Sequence, residues 1–140
     1  MSVIDAAGGG SPAMPATGGA DWPAEWMRGV LEVCVLAVLS GGPTYGYAIS
    51  ASLEQAGLGV VKGGTLYPLL GRLEAAELVE VQWRAGESGP GRKYYELNES
   101  GRAVLAEKAE AWLRFTERTH SLLAEPIGVS GRELEPGERS

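Results

Sequence analysis

The chain has 140 residues, with 12 Lys/Arg against 18 Asp/Glu for a formal charge of -6, 21 glycines, one cysteine and one histidine. That length holds one domain. A single cysteine excludes an intramolecular disulfide and agrees with a reducing cytoplasm. With only His120 and Cys34 available, neither a metal site of ordinary ligand number nor a nucleophile and base triad can be assembled within one subunit, so an enzyme is not expected.

In chain order, residues 1–20 are mostly Gly, Ala, Pro and Ser, with no basic start and no apolar run, which predicts a disordered arm and neither a signal peptide nor a membrane anchor. Residues 30–39 are apolar nearly all round and predict a core helix packed on most of its faces, with Cys34 as a small buried hydrophobe. The run is too short to cross a bilayer, which takes about 20 apolar residues. Ser40-Gly41-Gly42-Pro43 stops it. Thr44 then offers an N-cap oxygen to a second helix, from Tyr45 to about Gln55, which Gly57 and Gly59 end.

A third helix follows Gly63 and Gly64, with Thr65 as its expected N-cap and Pro68 in its first turn. Leu66, Leu69, Leu70 and Leu73 fall at helical spacing toward the core. Thr65, Tyr67, Gly71, Arg72 and Glu74 are left on the outside. Residues 78–83 and, more loosely, 93–97 alternate apolar and polar as strands do, and residues 84–92 hold three glycines and a proline and predict an exposed loop. Arg92 and Lys93 stand at its base, suited to phosphate. Asn98 is the expected N-cap of a last helix, on which Leu105, Ala109, Trp112, Thr116, Thr119 and Leu123 recur at alternating four and three spacing, a heptad-like seam. Residues 125–140, short and bearing Pro and Glu, predict a flexible acidic tail.

The expected fold class is therefore mainly α with a small β-hairpin (α+β), a winged helix-turn-helix over residues 21–98 followed by a helix over 99–124. The residues also resemble those of the PadR-like transcriptional regulators. The match lies in Gly29-Val30-Leu31-Glu32, Gly42-Pro43-Thr44-Tyr45-Gly46-Tyr47, the block from Gly64-Thr65-Leu66-Tyr67-Pro68 to Arg72-Leu73-Glu74, Leu78-Val79, and Arg92-Lys93-Tyr94-Tyr95-Glu96-Leu97-Asn98. The resemblance covers roughly residues 26–123, with the order and spacing of the blocks kept. It implies a homodimeric repressor of a palindromic operator in double-stranded DNA, dimerised by its last helix along the seam and needing no cofactor. The candidate DNA-contacting residues are Thr44, Tyr45, Lys62, Gly64, Thr65, Tyr67, Arg72, Arg92 and Lys93. In a ligand-sensing subgroup with a single short C-terminal helix, a tryptophan at the matching place stacks on flat aromatic compounds between subunits. This implies a small aromatic effector at Trp112, with Phe115 and Met27 as neighbours; the plainer reading makes Trp112 dimer core.

The acidic balance opposes DNA binding, because affinity for duplex comes from cations placed on phosphates. Seven glutamates of the last helix and tail lie far along the chain from Lys62, Arg72, Arg84, Arg92 and Lys93. Charges more than about 8 Å away are screened at physiological salt. A winged helix that binds protein in place of DNA is the alternative from another class.

Overall fold

The computed structural model describes residues 22–86 and 89–127. The expected N-terminal arm, and the expected tail beyond residue 127, lie outside the described residues. The chain divides into two compact units, one ending at Leu105 and the other beginning at Ala106.

In the first unit come α1 (Ala24–Leu39), β1 (Thr44–Tyr45), α2 (Gly46–Leu53), a wide π turn (Glu54–Leu58), α3 (Gly63–Ala75), β2 (Val79–Arg84), β3 (Arg92–Leu97) and the start of α4 (Glu99–Ile127). Three helices followed by a hairpin and a further helix is the winged-helix order, and the α+β class stands. α1 begins directly after Pro23, whose carbonyl accepts from the N–H groups of Trp26 and Met27. It packs through Leu31, Val35, Leu36 and Leu39, while Ala37 is exposed and Cys34 half-buried. The helix is thus one-sided, and its uniformly apolar sequence overstates its burial.

Three local expectations give way. Thr44 does not cap α2; it lies in β1, opposite Tyr95 of β3, and Tyr45 precedes the helix with no side-chain cap bond. The extended backbone at 44–45 is used to add a third strand, so the sheet runs β1-β3-β2, all antiparallel. Thr65 does not cap α3, which starts at Gly63 after Lys62, whose carbonyl accepts from the N–H groups of Thr65 and Leu66, both at 2.9 Å. Pro68 consequently sits in the second turn, where its missing N–H removes only the bond to the carbonyl of exposed Gly64. Each wing strand also reaches one residue further than its alternation suggests, so Arg84 and Arg92 are ladder partners and not loop residues.

Leu66, Leu69, Leu70 and Leu73 are buried as expected and meet Leu36, Leu39, Ile49 and Leu53 in the core. Each fully buried side chain of this size contributes up to about 3 kcal/mol. α3 ends in a Schellman motif: Leu78 N–H donates to the Leu73 carbonyl and Glu77 N–H to that of Glu74, both at 3.0 Å. Glu77 holds the left-handed position, φ 60°, that glycine usually fills. The Asn98 side chain clasps this junction, its amide donating to the Glu77 carbonyl (2.8 Å) while its oxygen accepts from Gly101 N–H (2.8 Å), capping α4 as predicted.

In the second unit, Ala109, Trp112, Thr116 and Thr119 are half-buried, while Leu113, Phe115, Leu122 and Leu123 are each more than half exposed. The hydroxyls of Thr116 and Thr119 donate to the carbonyls of Leu113 (3.2 Å) and Thr116 (3.0 Å) on their own helix. Two threonines therefore add no unpaired donor to the seam. Among the described residues no helix is long and apolar enough to cross a membrane.

Gly101 gives a stability test with an inverted sign. In a helix, Gly to Ala ordinarily gains about 1 kcal/mol. Here a Cβ would overlap the Leu78 carbonyl and lie 2.8 Å from Leu97 Cδ2. Gly101→Ala is expected to lower the urea midpoint with the slope unchanged; an equal or raised midpoint would show that the clasp yields easily.

Candidate nucleic-acid interface

With four leucines turned inward, α3 presents Gly64, Thr65, Tyr67, Pro68, Gly71 and Arg72 to solvent. Tyr67 is 54% exposed, and its ring rests on the start of α2: a Cβ built on Gly46 would collide with the Tyr67 hydroxyl, and one on Gly63 would lie 3.3 Å from the ring. Gly46 is thus the space that Tyr67 occupies. The flanking Tyr45 and Tyr47, half-buried and 77% exposed, carry the aromatic surface onward. Tyr45 meets Tyr94 of β3 with ring centroids 5.3 Å apart, and Tyr95 follows on β3. Four of the five tyrosines thus belong to this surface of β1, α2, α3 and the wing, while Tyr95 is buried in the core.

Cations frame this surface. On the outer face of the hairpin the Arg84 guanidinium stacks over Tyr94 at 4.3 Å and the Arg92 guanidinium over Tyr45 at 4.4 Å. Arg84 Nε also donates to Gln82 Oε1 at 2.9 Å. Arg84, Arg92 and Tyr94 line an open hollow with Ala85, Gly86, Pro90 and Gly91. Down the same face the cross-strand pair Glu80 and Glu96 follows, so the hairpin grades from cationic at its tip to anionic at its base. Lys93 points to the other face. It is half-buried, forms a 3.0 Å ion pair with Glu74 of α3, and has its ammonium 5.4 Å from the Tyr95 ring centre. The Glu74 bond raises the Lys93 pKa above the usual lysine value, so the pair persists across neutral pH.

The candidate set thus falls into three groups. Thr65 and Arg72 flank the leucine face of α3 on one side and Tyr67 flanks it on the other, with Lys62 and Gly64 exposed at the start of the helix. Thr44, Tyr45 and Arg92 belong to the adjoining sheet, and Lys93 is tied to Glu74. The candidate contact residues left out Tyr94, Tyr47, Gly46 and Arg84, the last named only among the cations that offset the acidic balance. Arg84 had a signal: it continues the outward parity of Glu80 and Gln82, so extending the strand by one residue puts it beside Arg92. The head as a whole is not basic, since residues 22–105 hold seven Lys/Arg against nine Glu. What favours an anion is placement. Cys34, whose thiol pKa is pushed up by burial, packs against the core away from these residues. No group of three or more His, Cys, Asp or Glu that could hold a metal occurs among the described residues.

For the proposed effector site, Met27 packs against the core of the first unit. In the second unit, Trp112 and Phe115 stand with ring centroids 5.4 Å apart, tilted by 46°.

Three helices, a hairpin and an outward polar face on the third helix define a winged-helix protein. The sequence profile of the Transcriptional regulator PadR-like family matches residues 35–107. The fold is similar to a PadR family transcriptional regulator from Eggerthella lenta, at 37% identity and a TM-score of 0.64 over 73% of this chain and 88% of that one. It is also similar, as a fold alone, to Bacillus subtilis PadR in complex with operator DNA, at 23% identity and a TM-score of 0.53 over 57% and 45% of the two chains. A 37.1 kDa protein of transposon TN4556 from Streptomyces fradiae is 36% identical over 87 residues, 62% of this chain and 24% of that protein. The chain belongs to the PadR-like family of transcriptional regulators; it is a DNA-binding regulator and not an enzyme.

The contact between Gly46 and Tyr67 can be isolated by a double-mutant cycle. In a Tyr67→Ala background, Gly46→Ala is expected to stabilise by up to about 1 kcal/mol through helix propensity. Beside the native Tyr67 it is expected to give no gain, because the ring must swing away. Additive effects in urea unfolding would mean that the two residues do not share this space.

Proposed function

We propose that the protein is a homodimeric repressor that reads a palindromic operator in double-stranded DNA and is released by an effector. The observation that supports this reading is α3, which exposes Thr65 and Arg72 and carries Tyr67, half exposed, with its ring resting on the start of α2. A helix of this kind enters the major groove with its N-terminal side chains toward base edges and phosphates. Arg72 serves a phosphate or a guanine edge and Thr65 a base edge. Lys62, Gly64, Thr44 and Tyr45 border the same groove, with Arg92 reaching backbone from the wing. Lys93 belongs to this surface through Glu74. Residues 21–98 form the DNA-binding head and 99–124 the dimerisation helix, acting in the cytoplasm.

Support for the dimer comes from the second unit. Leu105, Ala109, Trp112, Thr116, Thr119 and Leu123 form the interface, and a helix with four exposed large apolar side chains gains most by covering them with a second copy. Two heads on one dimer match two half-sites about one helical turn apart. The effector is a planar aromatic compound held beside Trp112 and Phe115, whose rings meet on α4. It favours a dimer arrangement in which both recognition helices no longer fit the groove together.

Selection of random duplexes on the purified protein, followed by titration of the winner at two salt concentrations, tests this function. The expected result is an inverted repeat bound with steep salt dependence, weakened by Arg72→Ala. A folded dimer that enriches no duplex would sink the DNA reading. For the effector, quenching of Trp112 fluorescence by a member of a planar aromatic panel is expected, with release of the selected duplex. Unchanged fluorescence and melting temperature across the panel would remove that part.

A further inference from the structure

The wing carries three cations within two ladder positions, Arg84, Arg92 and Lys93, and their surroundings differ in kind. Arg84 and Arg92 are directly opposite each other on one face of the hairpin. Directly paired like charges repel, so this arrangement is unfavourable until an anion lies between or over them. Each guanidinium has its flat face on a tyrosine, at 4.3 and 4.4 Å, and those two tyrosines touch each other at 5.3 Å. Stacking holds each group in place, at little rotamer cost on binding. Gln82 Oε1 takes the Arg84 Nε–H at 2.9 Å, which fixes that group further and leaves its terminal N–H groups to face an anion. Neither arginine has an ion-pair partner among the described residues. Lys93 is the opposite case, half-buried on the other face, with its ammonium on Glu74 and against Tyr95.

From this contrast, and resting on the DNA-binding function proposed above, we infer that the wing divides its cations by role. Arg84 and Arg92 together form a clamp for one backbone phosphate, and Lys93 is a positioning residue that locks the wing to the recognition helix through Glu74. Tyr94 and Tyr45 act with the clamp as the platforms that aim it. Lys93 itself releases no counterion, because Glu74 already neutralises it. The ion pair spans β3 and α3, so the distance from recognition helix to wing is fixed before DNA arrives.

The two roles leave different marks on salt dependence. Removing a phosphate contact flattens the plot of log affinity against log salt by about 0.9 per contact. With one clamp in each subunit, the double variant Arg84→Ala with Arg92→Ala is expected to lower the slope for the selected duplex by roughly two, and each single variant by less, because the remaining arginine still faces the phosphate. Lys93→Met is expected to weaken binding with the slope unchanged. Glu74→Ala decides most sharply. If Lys93 is a strut, losing Glu74 weakens binding; if Lys93 is a phosphate ligand, losing a nearby carboxylate frees it and strengthens binding. The swapped variant Glu74→Lys with Lys93→Glu is expected to recover most of the affinity that either single change loses, since the bridge is rebuilt with its ends exchanged. Circular dichroism melts of each variant separate loss of the strut from loss of the fold. A flattened slope in Lys93→Met, tighter binding by Glu74→Ala, or a swapped variant that melts like wild type yet stays weak would overturn the division. An unchanged slope in the double arginine variant would overturn the clamp. Wild-type protein that binds no duplex at any salt would overturn the inference together with the function it rests on, whereas the other failures leave that function standing.

Discussion

Everything the surface of this protein offers depends on where four leucines of α3 go. Leu66, Leu69, Leu70 and Leu73 are buried together, and the 3.6-residue period then leaves Thr65, Tyr67, Pro68 and Arg72 no place but solvent. The helix starts earlier than those leucines require, at Gly63, which puts Thr65 inside the helix and exposes two glycines at its entry. A short, sparsely furnished outer side is the result. Such a side approaches another backbone closely, because little stands in the way.

The leucine face, the tyrosine of α3 and the Asn98 cap were legible in the sequence because each follows from a local rule, periodicity in one case and capping chemistry in the other. The two-residue strand β1 was not. Thr44 reads as a cap, since Thr before a helical pattern is a good one, and only pairing with β3 from fifty residues away turns it into a strand. The wing failed in a similar way. Gly86, Gly89, Pro90 and Gly91 suggest a long loop, but the ladder holds through Arg84 and Arg92 because the tyrosine stacks add cross-strand contacts there. Arg92 and Lys93 looked alike as neighbours in sequence. Alternation on a strand sends neighbours to opposite faces, so one meets tyrosine and the other Glu74.

The net charge of -6 is less of an obstacle than it first looks, though segregation of acids into the last helix is only part of the reason. The head itself holds more glutamate than lysine and arginine. What matters at a phosphate is the field within about a Debye length, near 8 Å at physiological salt. Among the described residues of the wing tip that field comes from two guanidiniums, while Glu80 and Glu96 stand at the far end of the same face and Glu74 is neutralised by Lys93. Under the proposed function an acidic protein gains from this economy: like charge over most of its surface suppresses adventitious binding to nucleic acid, and the cationic patch is where it would be admitted.

In the proposed clamp, tyrosine is what lets a few cations suffice. A free arginine on a strand edge loses rotamer freedom when it binds a phosphate, a cost of up to about 2 kcal/mol on the usual scale. One already lying on a ring has lost part of that freedom on folding, so more of the charge-assisted bond remains as affinity. Tyr45 and Tyr94 serve both arginines while resting on each other, and Tyr67 continues the aromatic surface onto α3 through the gap left by Gly46. The patch is therefore held by packing more than by ion pairs, which salt would screen. Its rigidity should persist at ionic strengths where its affinity for phosphate has already fallen, so the geometry of recognition and the strength of binding are set by different forces.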